Sequence, residues 1–434
     1  MQTPREICLK LLVSTFKNAS YSNIALDKTL NRYPALSDVD KRFISALYYG
    51  VIERAITLDA IIAKYSSRPV DKLSDAVREI LRMGIYQLLY MNSVPDSAAV
   101  NESVILTKSN KNPAVSGFVN ALLRSFIRDD KKLPINGNKL HNMSIEYSCP
   151  EWLVSMWLDD YGEKTAVSML SSSIGKPPVT ARLNTCNFSF DDIVSSLETE
   201  GVSWRKVDAV DNCIELFGVG SVEKLDAYKS GMLHIQDVSC QICCHELGAK
   251  PGETVLDMCS APGGKAFTIA QMMNNEGKVL AFDLHQKRAD LIKSGAERLG
   301  LSCISASAND AKLFNADLPL ADRVLCDVPC SGLGVIRRKP EIKYGDNEQF
   351  ARLPEVQYAI LSTSSQYVKD GGVLVYSTCT VNRRENDEVC EKFLSEHTDF
   401  EPVKLERFTD YKVTITPDMF NSDGFFIAKF RRKG

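Results

Sequence analysis

Two cysteines that each follow a short apolar segment are the residues of this chain best suited to chemistry. Cys330 lies in the segment 327–334 (DVPCSGLG), after the apolar run 323–327, and Cys379 follows the apolar run 372–376. Such runs are typical of buried parallel strands. Because ligands of open α/β sheets bind beyond the carboxyl ends of the strands, both thiols are expected to face one crevice. A thiolate there could act as a covalent nucleophile.

A glycine-rich turn, residues 257–265 (DMCSAPGGK), ends a third strand of this kind and predicts a cofactor site. Its glycines allow backbone N–H groups to approach a ligand closely. The turn lacks the G-x-G-x-x-G pattern of dinucleotide sites, and Cys259 and Ala266 stand where a phosphate-binding loop needs Gly and Ser/Thr. The residues predicted to contact the cofactor here are Cys259, Ser260, Ala261, Pro262, Gly263, Gly264 and Lys265.

Aspartates recur at the ends of successive predicted strands. Asp283 could accept hydrogen bonds from ribose hydroxyls, and Asp310 could meet an adenine edge. Asp327 and Arg288 complete the predicted cofactor site. A nucleoside bound without a phosphate fits S-adenosyl-L-methionine, although each aspartate taken alone could equally be a strand-end cap.

Composition favours an ordinary globular protein of two or three domains, with 434 residues, 44% hydrophobic and 25% charged. Residues 1–130 carry 17 Lys/Arg and 13 Asp/Glu, a formal charge of +4 within a chain of −3, which is a weak sign of a polyanionic partner. The 13 cysteines lack disulfide-scaffold spacing, and no apolar run is long enough to span a membrane. We therefore expect a cytoplasmic protein with free thiols, no membrane contact and no metal site. A zinc site at Cys240, Cys243 and Cys244 is the less favoured interpretation.

Hydrophobic spacing divides the chain into four parts. Apolar residues at intervals of three and four predict an all-α domain over 1–135, and a polar segment with Pro and Gly predicts a linker over 136–149. Mixed patterns predict a small α+β subdomain over 150–235. Alternating strands and helices predict a doubly wound α/β domain over 236–434.

The segments 257–265, 327–334 and 377–379 together resemble those of the RNA 5-methylcytosine methyltransferases. The helical part, with Asp40-Lys41-Arg42-Phe43 and the stretch 95–124, is similar to the NusB RNA-binding fold. The pairing resembles bacterial 16S rRNA cytosine-C5 methyltransferases, including those that modify cytosine 967. The resemblance implies a Rossmann-like class I methyltransferase domain with a mostly parallel seven-stranded sheet. It also implies a NusB-like RNA-binding domain and an RNA-binding α+β subdomain. One departure from the family pattern is Ala266, where Thr or Ser is common.

The resemblance implies a role for each reactive residue. Cys379 would attack C6 of the cytosine, Asp327 would hold its N3/N4 edge, and Cys330 would assist proton removal and product release. The reverse assignment stays open, because a Pro-Cys motif carries the nucleophile in DNA cytosine methyltransferases and Pro329-Cys330 matches it.

The partner implied is 16S rRNA or a small-subunit precursor, bound by a monomer. The basic loop containing Arg337, Arg338 and Lys339 could grip phosphates that flank the target base, although a solvated loop is the plainer interpretation. Two other functions remain open on the sequence: a tRNA methyltransferase with the same chemistry, and a non-catalytic RNA-binding assembly or antitermination factor.

Overall fold

The computed structural model describes residues 2–18, 21–110, 112–345 and 350–434. Its residues cluster into two compact units. The first contains residues 1–176 together with 336–345, and the second contains residues 177–335 and 346–434. No helix among the described residues is long and apolar enough to cross a membrane.

The first unit is built from helices around one apolar core. They are α1 Pro4–Asn18, α2 Ser22–Arg32, α3 Asp38–Tyr65, α4 Asp75–Tyr90, α5 Asp96–Ser109, α6 Ser116–Arg128, α7 Lys139–Tyr147 and α8 Glu151–Ser172. The long helix α3 and helix α4 supply many of its fully buried side chains, among them Leu47, Val51 and Leu81. The all-α architecture predicted for the N-terminal part is confirmed.

Helix α7 lies inside the segment predicted as a linker. Asn138 caps it by accepting a hydrogen bond from the His141 N–H at 2.9 Å, and Met143 and Ile145 are buried. The Thr57 hydroxyl of α3 donates to the Ile145 carbonyl at 2.6 Å. The polar composition of 136–149 did not predict this short helix, because only one side of α7 is apolar and packs on α3.

The second unit opens with a four-stranded antiparallel sheet in the order β2-β3-β1-β4. Its elements are β1 Val179–Leu183, α9 Phe190–Thr199, β2 Ser203–Lys206, β3 Cys213–Phe217, α10 Asp226–Lys229 and β4 Leu233–Ile235. It is joined to the larger sheet domain by buried polar contacts. The Asn184 amide donates to the Leu299 carbonyl at 2.8 Å, and the Arg182 guanidinium donates to Gln271 at 3.2 Å.

The larger sheet has eight strands, seven of them in the order β10-β12-β9-β8-β5-β6-β7, with β11 paired to β12. Its elements in chain order are α11 Val238–Leu247, β5 Thr254–Asp257, α12 Gly264–Met272, β6 Lys278–Asp283, α13 Gln286–Leu299, β7 Ile304–Ala308, β8 Ala321–Asp327, α14 Leu353–Ser365, β9 Val368–Thr378, α15 Asp387–Glu396, β10 Phe400–Pro402, β11 Lys412–Ile415, α16 Pro417–Phe420 and β12 Phe425–Arg432. Strands β5 to β9 pair in parallel, whereas β10, β11 and β9 pair antiparallel with β12. The predicted Rossmann-like, mostly parallel sheet is confirmed, with one strand more than predicted.

Alternation along the strands buries both faces of this sheet. Leu325 of β8 packs with α11, α12 and α13 on one face, while Val324 and Cys326 pack with α14 and α15 on the other. The result is a three-layer sandwich, with helices covering both faces of the sheet.

Candidate active site

The pairing of β8 with β9 brings the two predicted reactive cysteines together. Its register places Asp327 opposite Ser377, so the segments that follow β8 and β9 leave the sheet side by side. Cys330 Sγ lies 3.3 Å from Cys379 Sγ, and both side chains are half-buried. The hydrogen bond with Cys379 and burial hold the pKa of the Cys330 thiol well above its usual range.

A close backbone contact fixes the turn that carries these thiols. The Gly334 N–H donates to the Cys379 carbonyl at 3.0 Å, and the Gly424 N–H donates to the Gly334 carbonyl at 2.9 Å. A Cβ atom added to Gly334 would lie 1.9 Å from the Gly424 oxygen and 2.8 Å from the Cys379 oxygen. Only glycine allows this approach, because the obstructing atoms belong to backbone that cannot rotate away.

The substitution Gly334→Ala is expected to lower the free energy of unfolding by about 2–4 kcal/mol, since the added methyl must displace packed backbone. Chemical denaturation monitored by circular dichroism measures the change. The matched control is Gly220→Ala, where an added Cβ meets no atom within 4 Å and the expected change is below about 0.5 kcal/mol. Equal effects at both positions would contradict the close-contact argument.

Asp327 forms a half-buried ion pair at the carboxyl end of β8. Its Oδ2 accepts a hydrogen bond from Lys265 Nζ at 2.6 Å, and its Oδ1 accepts one from the Ser377 hydroxyl at 2.9 Å. Burial, the largest single influence, lowers the pKa of Lys265, but the charge and hydrogen bond of Asp327 together with nearby Cys240 and Cys243 outweigh it and hold that pKa well above its usual range. Since each carboxylate oxygen has two lone pairs, Asp327 can still accept a hydrogen bond from a ligand.

The predicted cofactor turn joins β5 to α12 and is held by its own backbone. The Ser260 N–H donates to the Phe282 carbonyl of β6 at 2.7 Å, and the Gly263 N–H donates to the Ser260 carbonyl at 2.8 Å. Gly263 has φ 107°, and a Cβ there would lie 2.4 Å from the Phe267 ring. The turn therefore presents backbone amides at the N-terminus of α12, where the helix dipole favours negative charge.

Acidic side chains at three strand ends offer acceptors to a cofactor. Asp257 is fully buried beneath the turn, burial raises its pKa to about 7, and no hydrogen bond of normal geometry from the described residues reaches its oxygens. Asp283 is 5% exposed, and its Oδ1 accepts the His285 N–H at 3.1 Å. Asp310 accepts the Lys312 N–H at 3.0 Å. The acceptors of Asp283 and Asp310, at two neighbouring strand ends, fit a cofactor that carries ribose hydroxyls and an adenine amino group, as S-adenosylmethionine does.

Arg288, the remaining residue predicted to contact the cofactor, links two parts of this site. Its Nε lies 3.2 Å from Asp283 Oδ2, and its terminal nitrogen donates to the Ala261 carbonyl at 3.0 Å. Arg288 therefore links the glycine-rich turn to Asp283. Its position in the sequence did not predict this role.

Sequence analysis did not single out two residues that hold the reactive segments. Ser377 bonds to Asp327 and stands opposite it in the sheet, which a strand register would have revealed. Glu385 is fully buried and hydrogen-bonded to Ser331. It is separated by 54 residues from that partner, and no local pattern connects the two.

The residues predicted to bind RNA phosphates group with the helical unit, since residues 336–345 belong to it. Arg337, Arg338 and Lys339 are half-buried. The Arg337 guanidinium donates to the Lys176 carbonyl at 2.7 Å, and Lys339 Nζ lies 5.5 Å from the centre of the Tyr21 ring. This segment is packed against helices rather than fully solvated.

The cysteine cluster of α11 is part of the core. Cys243 and Cys244 are fully buried, and burial is the main cause that raises the pKa of Cys243 to about 12. No group of three His, Cys, Asp or Glu side chains arranged to hold a metal ion occurs within the ranges that the structure describes.

Family models match three consecutive parts of the chain. Residues 2–128 match the NusB family, residues 149–223 match the ferredoxin-like domain of RsmF/B-like methyltransferases, and residues 245–431 match the 16S rRNA methyltransferases RsmB/F. The last match contains both cysteines, Asp327 and the glycine-rich turn.

Solved structures confirm the fold. The crystal structure of PH0851 superposes with a TM-score of 0.83 over 100% of this chain and 99% of that one, at 23% identity. NSun6 from Pyrococcus horikoshii, solved with SFG, superposes with a TM-score of 0.60 over 66% of this chain and 98% of that one, at 19% identity.

Full-length relatives establish the family. The chain is 37% identical to the probable ribosomal RNA small subunit methyltransferase B of Bacillus subtilis over 99% of both chains. It is 33% identical to the probable methyltransferase B of Synechocystis over 100% of both, and 32% identical to the methyltransferase B of Proteus mirabilis over 92% of both. The chain therefore belongs to the ribosomal RNA small subunit methyltransferase B family, whose members are S-adenosylmethionine-dependent rRNA methyltransferases.

Proposed function

We propose that this enzyme methylates C5 of one cytosine in 16S rRNA, at the position equivalent to cytosine 967, through a covalent adduct between Cys379 and C6 of the base. The observation that carries the proposal is the pair of sulphurs 3.3 Å apart, next to the Asp327–Lys265 ion pair and the glycine-rich turn. A protein that only binds RNA does not need two adjacent thiols at the carboxyl ends of neighbouring parallel strands.

Cys379 and Cys330 are given different roles in this proposal. We assign the attack on C6 to Cys379 and the role of hydrogen-bond donor to Cys330, whose pKa is raised by its hydrogen bond with Cys379 and by burial. The new S–C6 bond breaks the C5=C6 double bond, whose electron pair moves toward C4 and gives an enamine-like system in which C5 is nucleophilic. S-adenosylmethionine, when bound, would supply a methyl group on a positively charged sulphur, and the turn 259–265, Asp283 and Asp310 would hold it.

Release reverses the covalent step. The C5 proton passes to water, its electron pair restores the C5=C6 bond, and the S–C6 pair returns to Cys379 as thiolate. The Cys330 S–H assists by donating a hydrogen bond to the departing sulphur. Asp327 holds the N3/N4 edge of the cytosine while Lys265 and Ser377 fix its carboxylate. A target base within a duplex must first leave the stack, because its C6 face is otherwise covered.

Trapping tests the covalent chemistry. RNA that contains 5-fluorocytosine, which has no C5 proton to lose, is expected to remain bonded to the wild-type protein when S-adenosylmethionine is present and to survive denaturing electrophoresis. The absence of a stable adduct would overturn the covalent proposal.

Bisulfite sequencing of RNA from a deletion strain tests the substrate. Loss of 5-methylcytosine at cytosine 967 of 16S rRNA supports the proposal. Loss from a tRNA would favour the tRNA methyltransferase, and an unchanged profile would favour an RNA-binding factor without catalysis.

We infer that part of the RNA contact is made by a groove of about 600 Å³ between α1 and α2. Exposed Lys10, Lys28 and Arg32 line it, and none of the three has an ion pair with any described residue. The groove also presents Tyr21, which is 60% exposed and lies beside Lys339. Unpaired cations next to an exposed ring are the combination that binds single-stranded RNA through phosphates and stacking.

Replacing Lys10 and Lys28 together by Ala is expected to weaken RNA binding about 10-fold and to reduce the slope of log K against log salt by about 1–2, since two phosphate contacts are lost. Fluorescence anisotropy with a labelled rRNA fragment at several salt concentrations measures both quantities. The control is Lys72→Ala, a lysine of the same unit whose side chain is 74% exposed. If the control weakens binding as much, the groove has no special role.

A further inference from the structure

Glu385 is a buried carboxylate with an unusually complete set of hydrogen-bond donors. It lies between β9 and α15 and has no exposed surface. Its Oε2 accepts the Ser331 N–H at 2.8 Å and the Gln357 amide at 2.9 Å. Its Oε1 accepts the Ser331 hydroxyl at 2.5 Å and the Asn382 amide at 2.9 Å. A charge buried in this way is stable only because donors replace the lost water.

These hydrogen bonds converge on the turn that carries Cys330. Ser331, the next residue, is held through both its N–H and its hydroxyl. Pro329, the preceding residue, is held because the Gln357 amide also donates to its carbonyl at 3.0 Å. Both neighbours of Cys330 are thus tied, directly or through one side chain, to a single carboxylate, and the direction of the Cys330 thiol is fixed by that arrangement.

The segment that carries Cys379 is connected to the same hydrogen bonds around Glu385. The Ser331 hydroxyl lies 2.8 Å from the Thr380 hydroxyl, next in sequence to Cys379. The Tyr376 hydroxyl of β9 donates to the Glu385 carbonyl at 2.5 Å. Glu385 therefore connects the two segments whose sulphurs lie 3.3 Å apart. Its negative charge also acts in the same direction as the hydrogen bond with Cys379 and burial, which together raise the pKa of Cys330.

We propose that Glu385 is a positioning residue for the release step, which it serves by holding the Cys330 thiol against the sulphur of Cys379. The inference rests on the proposed covalent mechanism, in which Cys330 donates to the sulphur that leaves C6. Attack by Cys379 does not need that donor, so loss of Glu385 slows release more than attack. Side chains that orient a reactive group in this way commonly change rates 10- to 100-fold when removed.

The test is Glu385→Gln, which keeps the volume but turns two of the accepting lone pairs into competing N–H donors. With S-adenosylmethionine and RNA carrying ordinary cytosine, wild-type protein releases its product and shows no adduct on a denaturing gel. The variant is expected to accumulate the adduct, as is expected for Cys330→Ala, with single-turnover release slowed at least about 10-fold. Glu388→Gln, an exposed glutamate of α15, is the control and should release product like wild type.

Ser331→Ala provides a second variant if Glu385→Gln does not fold, because it removes one donor without disturbing the buried charge. It should slow release in the same direction by a smaller factor. A purely structural role would lower attack and release together, in proportion to the folded fraction, and would leave no adduct; that result overturns the inference.

Failure of the inference and failure of the proposed function give different results. If 5-fluorocytosine RNA forms no adduct with either wild type or Cys330→Ala, the covalent mechanism itself is wrong and the role of Glu385 falls with it. If both form the adduct and Glu385→Gln still releases ordinary product at the wild-type rate, only the positioning role is wrong.

Discussion

Cys379→Ala is expected to abolish methyl transfer, by at least about 10³-fold in kcat, and to form no adduct with 5-fluorocytosine RNA. In the proposed mechanism the sulphur of Cys379 is the group that bonds to C6, and the substitution leaves only the Cys330 sulphur of the pair. Alanine removes the sulphur while leaving the backbone contacts of residue 379 with Gly334 in place. Binding of S-adenosylmethionine, measured by calorimetry, should therefore be unchanged.

Cys330→Ala is the matched variant, because it removes a sulphur 3.3 Å away in the same crevice. It is expected to form the adduct and to release it slowly, since the hydrogen-bond donor to the departing sulphur is lost. The opposite pattern, with an adduct from Cys379→Ala and none from Cys330→Ala, would reverse the roles and support the alternative suggested by the Pro329-Cys330 motif.

The sequence predicted those parts of the site that local patterns encode. The apolar runs 323–327 and 372–376 located β8 and the second half of β9, and the glycine-rich turn located the end of β5. Each of these signals lies within one element, where side-chain periodicity and strand-end chemistry act over a few residues. The meeting of Cys330 and Cys379 followed from the rule that parallel strand ends share an edge.

What the sequence did not predict depends on partners that are distant along the chain. Glu385 is an ordinary glutamate until the fold brings Ser331 and Gln357 to it. Likewise Arg288 gains its role only because α13 places it beside the carbonyl of Ala261. Helix α7 was hidden for a related reason, since its stability comes from packing against α3 rather than from its own periodicity.

Asp327→Ala is expected to lower kcat/KM by about 10²–10³-fold, and the loss has two physical sources. The first is the cytosine edge, since a site built to hydrogen-bond a substrate loses most of its affinity for the transition state when that partner is removed. The second is Lys265, whose side chain is 12% exposed and would keep a buried charge without its partner. Because the pair is only half-buried, breaking it should cost less stability than the ~3–5 kcal/mol of a fully buried pair.

The two sources are separated by Asp327→Asn, which keeps the volume and one acceptor but removes the charge. Thermal unfolding reports the stability change, and initial rates measured well below the unfolding transition report the catalytic change. If recognition of the base dominates, Asp327→Asn should regain more of the lost stability than of the lost rate, both measured relative to Asp327→Ala. The amide oxygen can still accept a hydrogen bond from Lys265, but it is a weaker acceptor than a carboxylate for the cytosine amino group.

The same strand offers the control. Asp322, near the opposite end of β8, accepts a hydrogen bond from Lys369 Nζ at 2.8 Å and another from the Thr254 N–H at 2.8 Å. It therefore matches Asp327 in charge, strand and type of partner, but lies away from the carboxyl end where the thiols meet. Asp322→Ala should cost about 1–2 kcal/mol of stability and leave kcat within about twofold of wild type. A loss of activity equal to that of Asp327→Ala would mean that the strand needs its ion pairs for folding alone, and that Asp327 has no place at the cytosine.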